Sequence, residues 1–171
     1  TVFAFSSENW ARPPDEVSGL LSLLGVSLKR EVPKLHRDGI RFQLVGDRSP
    51  FSDKLQREFE AAETLTANNT KFTLNVCFNY GGRWDMAQAA QKVQAQGLPL
   101  TEENLHAALS LAHLPEPDLI IRTGGEMRLS NFLLWQAAYA ELYFSQALWP
   151  DFGAQHLDAA LQDYAQRQRR F

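Results

Sequence analysis

Hydrophobic positions along the chain follow two rhythms. Short apolar runs rich in β-branched and aromatic residues recur at Val2 to Phe5, Ile40 to Val45, Phe72 to Phe78 and Leu119 to Ile121, and they predict strands. Between them, apolar residues return every three or four positions over Asp15 to Leu35, Asp53 to Ala67, Asp85 to Gln94, Glu102 to Leu111 and Asn131 to Leu142. That is the spacing of amphipathic helices. A last helix is expected over Gln155 to Arg169. Strands alternating with helices predict an α/β fold, a mostly parallel central sheet flanked by helices, in a single domain over residues 1–171. Right-handed crossovers then put the carboxyl ends of the strands on one edge.

The helical pattern from Asp15 to Leu35 is unusually apolar. Leu20, Leu21, Leu23, Leu24, Val26 and Leu28 cover well over half of its circumference, more than the stripe an ordinary surface helix carries. Two explanations are open: burial between the sheet and another helix or subunit, or an apolar cavity lined by part of this face. Pro33 is expected to kink or split the helix near Lys29.

Charge changes the picture little. The chain has 17 basic and 20 acidic residues, which gives no support to a general nucleic-acid or membrane-surface binder and leaves a local basic cluster open. Cys77 is the lone cysteine and sits in the apolar run "FTLNVCF". A buried, unreactive thiol in a strand is expected, and with it a reducing, cytoplasmic setting. No apolar run reaches membrane-spanning length. The chain opens inside a strand-like run, "TVFAF", so a preceding piece of the domain is expected to be absent from it.

Candidate chemistry lies after the strands. The segments "SSENWARPP", "GDRSPF", "NYGGRWD" and "RTGGEMRLS" are polar or turn-forming, and in open parallel sheets ligands bind outside the strand carboxyl ends. Asn9, Trp10, Arg12, Arg48, Arg83, Arg122 and Arg128 are therefore expected on one rim, where several guanidiniums call for an anion. In "RTGGEMRLS", Gly124 and Gly125 permit a tight turn. Ser130 suits a helix N-cap, and Arg122 and Arg128 offer forked donors for phosphate oxygens. The competing account pairs the arginines with carboxylates such as Glu126. The stretch lacks the Gly-Lys-Ser/Thr ending of a Walker loop and the glycine spacing of a dinucleotide site.

The other segments carry similar alternatives. Ser7 and Asn9 can bind a ligand or satisfy turn backbone, and Trp10 can wall a site or cap the core. Gly81, Gly82 and Asp85 can be a turn and a helix cap. Glu141, in the apolar stretch "WQAAYAELYF", needs a partner, a metal or solvent. His36, His106, His113 and His156 lack metal-ligand spacing and read as surface residues.

Three of these stretches, "FAFSSENWARP", "NYGGRWD" and "DLIIRTGGEMRLSNFLLWQAAYAELYF", resemble consecutive signatures of the cis-prenyltransferases, of the bacterial undecaprenyl-forming type. The resemblance runs in order along the whole chain. It implies a prenyl transferase that condenses an allylic diphosphate, typically farnesyl diphosphate, repeatedly with isopentenyl diphosphate, making cis double bonds. It further implies Mg²⁺ as cofactor, a homodimer, no nucleic acid, and a membrane met only transiently at product release. By resemblance, Arg122, Arg128, Leu129 and Ser130 hold isopentenyl diphosphate, and Ser6, Ser7, Glu8, Trp10 and Arg12 contact substrate. Asn9 matches the residue linked to proton removal. An amide is a very poor base, so an orienting role is expected. Glu141 matches a carboxylate at the Mg²⁺ site.

Departures from the family pattern add further expectations. An Asp-Gly-Asn-Gly-Arg-Trp pattern, with the metal-binding Asp, lies upstream of the chain's first residue in the family, so the chain alone is expected to be inactive. Met127 stands where a His is common. Phe72 and Phe78 occupy tunnel positions that are often smaller, which implies shorter products. A non-catalytic partner subunit is the alternative function, though the complete "SSENW" loop argues against it. A generic phosphate-binding α/β module is a third, and it would not need the broad apolar helix.

Overall fold

The computed structural model describes residues 1–167. The chain forms two compact units, Thr1–Leu111 and Ala112–Phe171. Every paired strand is parallel, in the mixed α/β arrangement that the alternating pattern predicts.

The first unit is built on β1 (Val2–Ser6), β2 (Ile40–Val45) and β3 (Phe72–Tyr80), in the order β1-β3-β2. Ser6 stands beside Tyr80, and Val45 beside Cys77, so the three carboxyl ends share one edge. Helix α1 (Pro14–Arg37) and helix α2 (Asp53–Thr66) cover the sheet. The stripe Leu55, Phe59, Ala62 and Thr66 of α2 is buried against Phe42 and Leu44 of β2, Phe5 of β1 and Phe78 of β3. Phe59 is fully buried, a change that stabilises by about 1.5–3 kcal/mol for a side chain of this kind. Helix α3 (Gly82–Ala95) and the short α4 (Glu102–Ala108) complete the unit.

Helix α1 runs unbroken through Pro33. The predicted split does not occur. Proline removes one helical hydrogen bond, and the carbonyl it leaves, on Lys29, lies where Lys29 and Arg30 are exposed, so water can satisfy it. The broad apolar face divides: Leu20, Leu21 and Leu24 pack on the core, whereas Leu23 and Val26 are about 60% exposed, at 61% and 60%. Leu21, Gly25 and Val26 also line an open groove of about 570 Å³ with Phe51 and Leu55. Phe78 is a core residue stacked 4.8 Å from Phe5, and Phe72 is exposed at the start of β3. Neither lines that groove.

The second unit holds β4 (Leu119–Arg122) and β5 (Glu141–Phe144), paired with Leu119 beside Glu141 and Arg122 beside Phe144. It ends with α5 (Ala154–Gln166). Arg169, the last residue of the helix expected from the sequence, lies outside the described residues. The helix predicted over Asn131 to Leu142 is absent. Residues 131–139 form successive turns, and Glu141 opens a strand. Ser130, Asn131 and Leu133 have φ of 49°, 64° and 45°, left-handed values that a right-handed helix cannot contain. No helix among the described residues is long and apolar enough to cross a membrane.

Candidate functional site

The residues singled out by the sequence fall into two groups, one in each unit. In the first unit, the chain leaving β1 turns at once into a 3-10 helix, Ser7–Ala11. The Asn9 side chain fixes it by accepting a hydrogen bond from the Ser6 amide at 2.8 Å. Ser7 donates to Glu8 at 3.2 Å, and Arg12 donates to Glu16 at 2.6 Å. Trp10 packs edge-on against Phe5, with ring centres 5.6 Å apart, and lies 6.1 Å from Phe51. About a third of it stays exposed, 36%, so it caps the core and also presents a surface.

The indole N–H of Trp10 donates to Asn79 Oδ1 at 2.7 Å. Asn79 donates from Nδ2 to the Asp47 carbonyl at 2.8 Å, and its own carbonyl accepts from the Asp47 amide at 3.1 Å. Asn79 is 5% exposed with φ of 51°, a conformation in which asparagine is favoured over most residues. One side chain therefore ties the segments that follow β1 and β2 to the end of β3. Sequence reasoning quoted this asparagine in "NYGGRWD" but did not single it out. The available signal was an Asn at the point where a strand run meets a double glycine.

Arg48 does not join the rim. It turns back to Glu63, at 2.6 and 2.9 Å, and to the Leu44 carbonyl at 2.6 Å. Glu63 also accepts from the Leu44 amide, so this guanidinium anchors β2 to α2 because a half-buried acid lies within reach. Arg83 is exposed on the first turn of α3. Asp85 does not cap that helix. It is 1% exposed and accepts from Tyr80 Oη at 3.0 Å and from the Ser110 amide and hydroxyl at 2.9 and 2.7 Å. Cys77 is buried, and burial pushes its thiol up to about 12, as expected of an inert strand cysteine.

In the second unit, Gly124 and Gly125 have φ of 83° and 74° and make the tight turn the sequence predicts. Their amides donate to the carbonyls of Ala147 and Ser145, at 2.8 and 2.9 Å. Arg122 donates to Ser130 Oγ at 2.8 Å. Ser130 is exposed and caps no helix, a correction that follows from the left-handed run beginning there. Arg128 is paired with Glu126, the competing partner named from the sequence, and both side chains are largely exposed. Leu129 is half-buried beside them, and Met127 is exposed.

Glu141 is half-buried on β5 and bonded to Arg167 at 2.6 Å. Arg167 also bonds Asp163 and the Leu142 carbonyl. Hydrogen bonds to Glu141 and then to Asp163 raise the pKa of Arg167 further above its ordinary value. No group of three His, Cys, Asp or Glu residues among those described is placed to hold a metal ion. Glu141, the carboxylate that the resemblance links to magnesium, is engaged by a guanidinium.

The undecaprenyl diphosphate synthase family of prenyltransferases matches the chain over residues 1–171. The chain belongs to this family. It is 54% identical over 172 residues to an isoprenyl transferase of Neisseria gonorrhoeae, covering all of this chain and 69% of the relative. It is 54% identical over 178 residues to a ditrans,polycis-undecaprenyl-diphosphate synthase, (2E,6E)-farnesyl-diphosphate specific, of Pseudomonas aeruginosa, covering all of this chain and 71% of that one. Among solved structures, lavandulyl diphosphate synthase from Lavandula x intermedia, in complex with dimethylallyl diphosphate, superposes with a TM-score of 0.92 at 35% identity, over 98% of this chain and 75% of that one. A probable undecaprenyl diphosphate synthase from Campylobacter jejuni gives 0.90 at 37%, over 98% and 79%.

Proposed function

We infer that this prenyltransferase lengthens an allylic diphosphate, farnesyl diphosphate, with isopentenyl diphosphate units to give cis-polyprenyl diphosphate, undecaprenyl diphosphate in particular. In each cycle the terminal alkene carbon of isopentenyl diphosphate, C4, bonds to the allylic carbon, the allylic C–O bond breaks to release diphosphate, and a proton leaves C2 of the isopentenyl unit, so that the double bond moves to C2=C3. Family membership over the full chain carries the reading.

Arg122, Arg128, Leu129 and Ser130 are the isopentenyl diphosphate residues of this proposal. Ser130 holds the Arg122 guanidinium at one edge of an exposed turn. The Arg128–Glu126 pair is exposed, and such pairs contribute only about 0–1 kcal/mol. Charge-assisted hydrogen bonds to a ligand contribute roughly 1.5–3 kcal/mol each, so a diphosphate outcompetes Glu126. Ser6, Ser7, Glu8, Trp10 and Arg12 form the substrate loop. Asn9 Oδ1 is committed to that loop, which leaves the NH₂ of the amide to orient substrate. Magnesium enters as the family cofactor, with Glu141 as the carboxylate that would reach it once released from Arg167. A cytoplasmic homodimer that meets the membrane when product leaves completes the reading.

The test is incorporation of labelled isopentenyl diphosphate by the full-length gene product with farnesyl diphosphate and Mg²⁺, with products sized by chromatography. Long cis products are expected. A protein that leaves the label in isopentenyl diphosphate refutes the assignment.

A further inference from the structure

The tight anchoring of Trp10 asks what holds a half-exposed aromatic ring on a loop that must meet substrate. Ring contacts with Phe5 and Phe51 fix its depth, and a hydrogen bond adds a direction that ring contacts supply only weakly. Among the described residues, the indole's polar contact is its 2.7 Å hydrogen bond to Asn79. Asn79 is immobilised in turn. Its amide donates to the Asp47 carbonyl, its backbone carbonyl accepts from the Asp47 amide, and its φ of 51° fixes the direction of its side chain. Next to it, Gly46 has φ of 143°, and a Cβ there would come within 2.0 Å of the Phe78 carbonyl. Backbone therefore packs against backbone behind Asn79, and the amide cannot retreat.

We propose that Asn79 is a positioning residue for prenyl transfer, setting the orientation of the Trp10 indole over the allylic substrate. The proposal rests on reading Trp10 as a substrate contact. Asn79 acts through the indole, and its second bond, to Asp47, keeps the acceptor oxygen aimed at Trp10. Replacement by alanine would mix loss of the bond with strain at a left-handed φ, so glycine is the informative change.

The experiment uses ¹⁵N-labelled full-length gene product. The four tryptophans of this chain give indole N–H resonances, and that of Trp10 is identified by its loss in Trp10→Phe. In Asn79→Gly the Trp10 proton resonance moves upfield, while those of Trp84, Trp135 and Trp149 stay in place and report an intact fold. Affinity for farnesyl diphosphate falls roughly tenfold, the scale of one hydrogen bond. Trp10→Phe breaks the same bond from the other side and gives a similar loss, and the double variant loses no more than either single one. An unmoved Trp10 resonance, or losses that multiply in the double variant, overturns the proposal. A native protein that does not bind farnesyl diphosphate refutes the functional reading instead, and the indole resonance still decides whether Asn79 holds Trp10.

Discussion

Arg122 and Arg128 differ in what surrounds them. The first is held by a hydroxyl and the second by an exposed acid. Arg122→Ala should raise KM for isopentenyl diphosphate by about 10- to 100-fold, and Arg128→Ala by less, because the native side chain must first leave Glu126. Steady-state assays of the two variants give the order, and equal effects would show that Glu126 offers no competition. Cys77 supports a prediction about pH. Its thiol is raised from 9.0 to about 12 in the fold, so the unfolded chain ionises first. The contribution of this thiol to stability is therefore fully present below pH 9.0 and is lost between pH 9.0 and about 12. Urea unfolding across that range should show a shallower alkaline decline in Cys77→Ala, whatever its constant penalty at neutral pH.

At the scale of the element, backbone geometry separates glycines that look alike in the sequence. Gly46 lies where a Cβ would strike the Phe78 carbonyl, and Gly46→Ala should destabilise by at least about 2 kcal/mol. Gly19, inside α1 with nothing within 4 Å of its added Cβ, should tolerate alanine and gain about 0.5–1 kcal/mol. Denaturant midpoints of the two variants should move in opposite directions. The elements that could be read from the sequence were those whose local rhythm agrees with their packing: β2 begins and ends where its apolar run does, and α1, α2 and α3 fall within a few residues of their patterns. Asn131 to Leu142 has a helical rhythm, but its last residues pair with β4 as a strand and its first are left-handed. Long-range pairing overrode local preference there. The loop from Ser6 to Arg12 and the Arg122–Ser130 pair were visible as polar segments after strands. Asn79, Glu63 and Arg167 were not, because each matters through a partner far away in sequence or on another element.

At the scale of the whole molecule, the two units differ in how much they bury. The large apolar cluster, from Phe5 to Phe78, lies entirely in the first, whereas among the described residues the second buries few large side chains, Ile120 and Leu133 among them. Amide hydrogen exchange should be slowest in β3, the central strand of its sheet, and faster in β4 and β5. Equal protection in β3 and in the β4–β5 pair would contradict this. Phe72 stands exposed outside the core, so Phe72→Ala should cost little stability. Longer products from that variant, sized by chromatography, would tie this side chain to the limit on chain growth.

The turn at Gly124 and Gly125 has a further consequence. Both of its amides already serve the fold, bound to the carbonyls at 145 and 147, so these two peptides are not available to grip a visiting anion. Under the proposed function, discrimination among headgroups at that spot leans on long, replaceable side chains. Preference there can drift by single substitutions while the loop beneath keeps its shape.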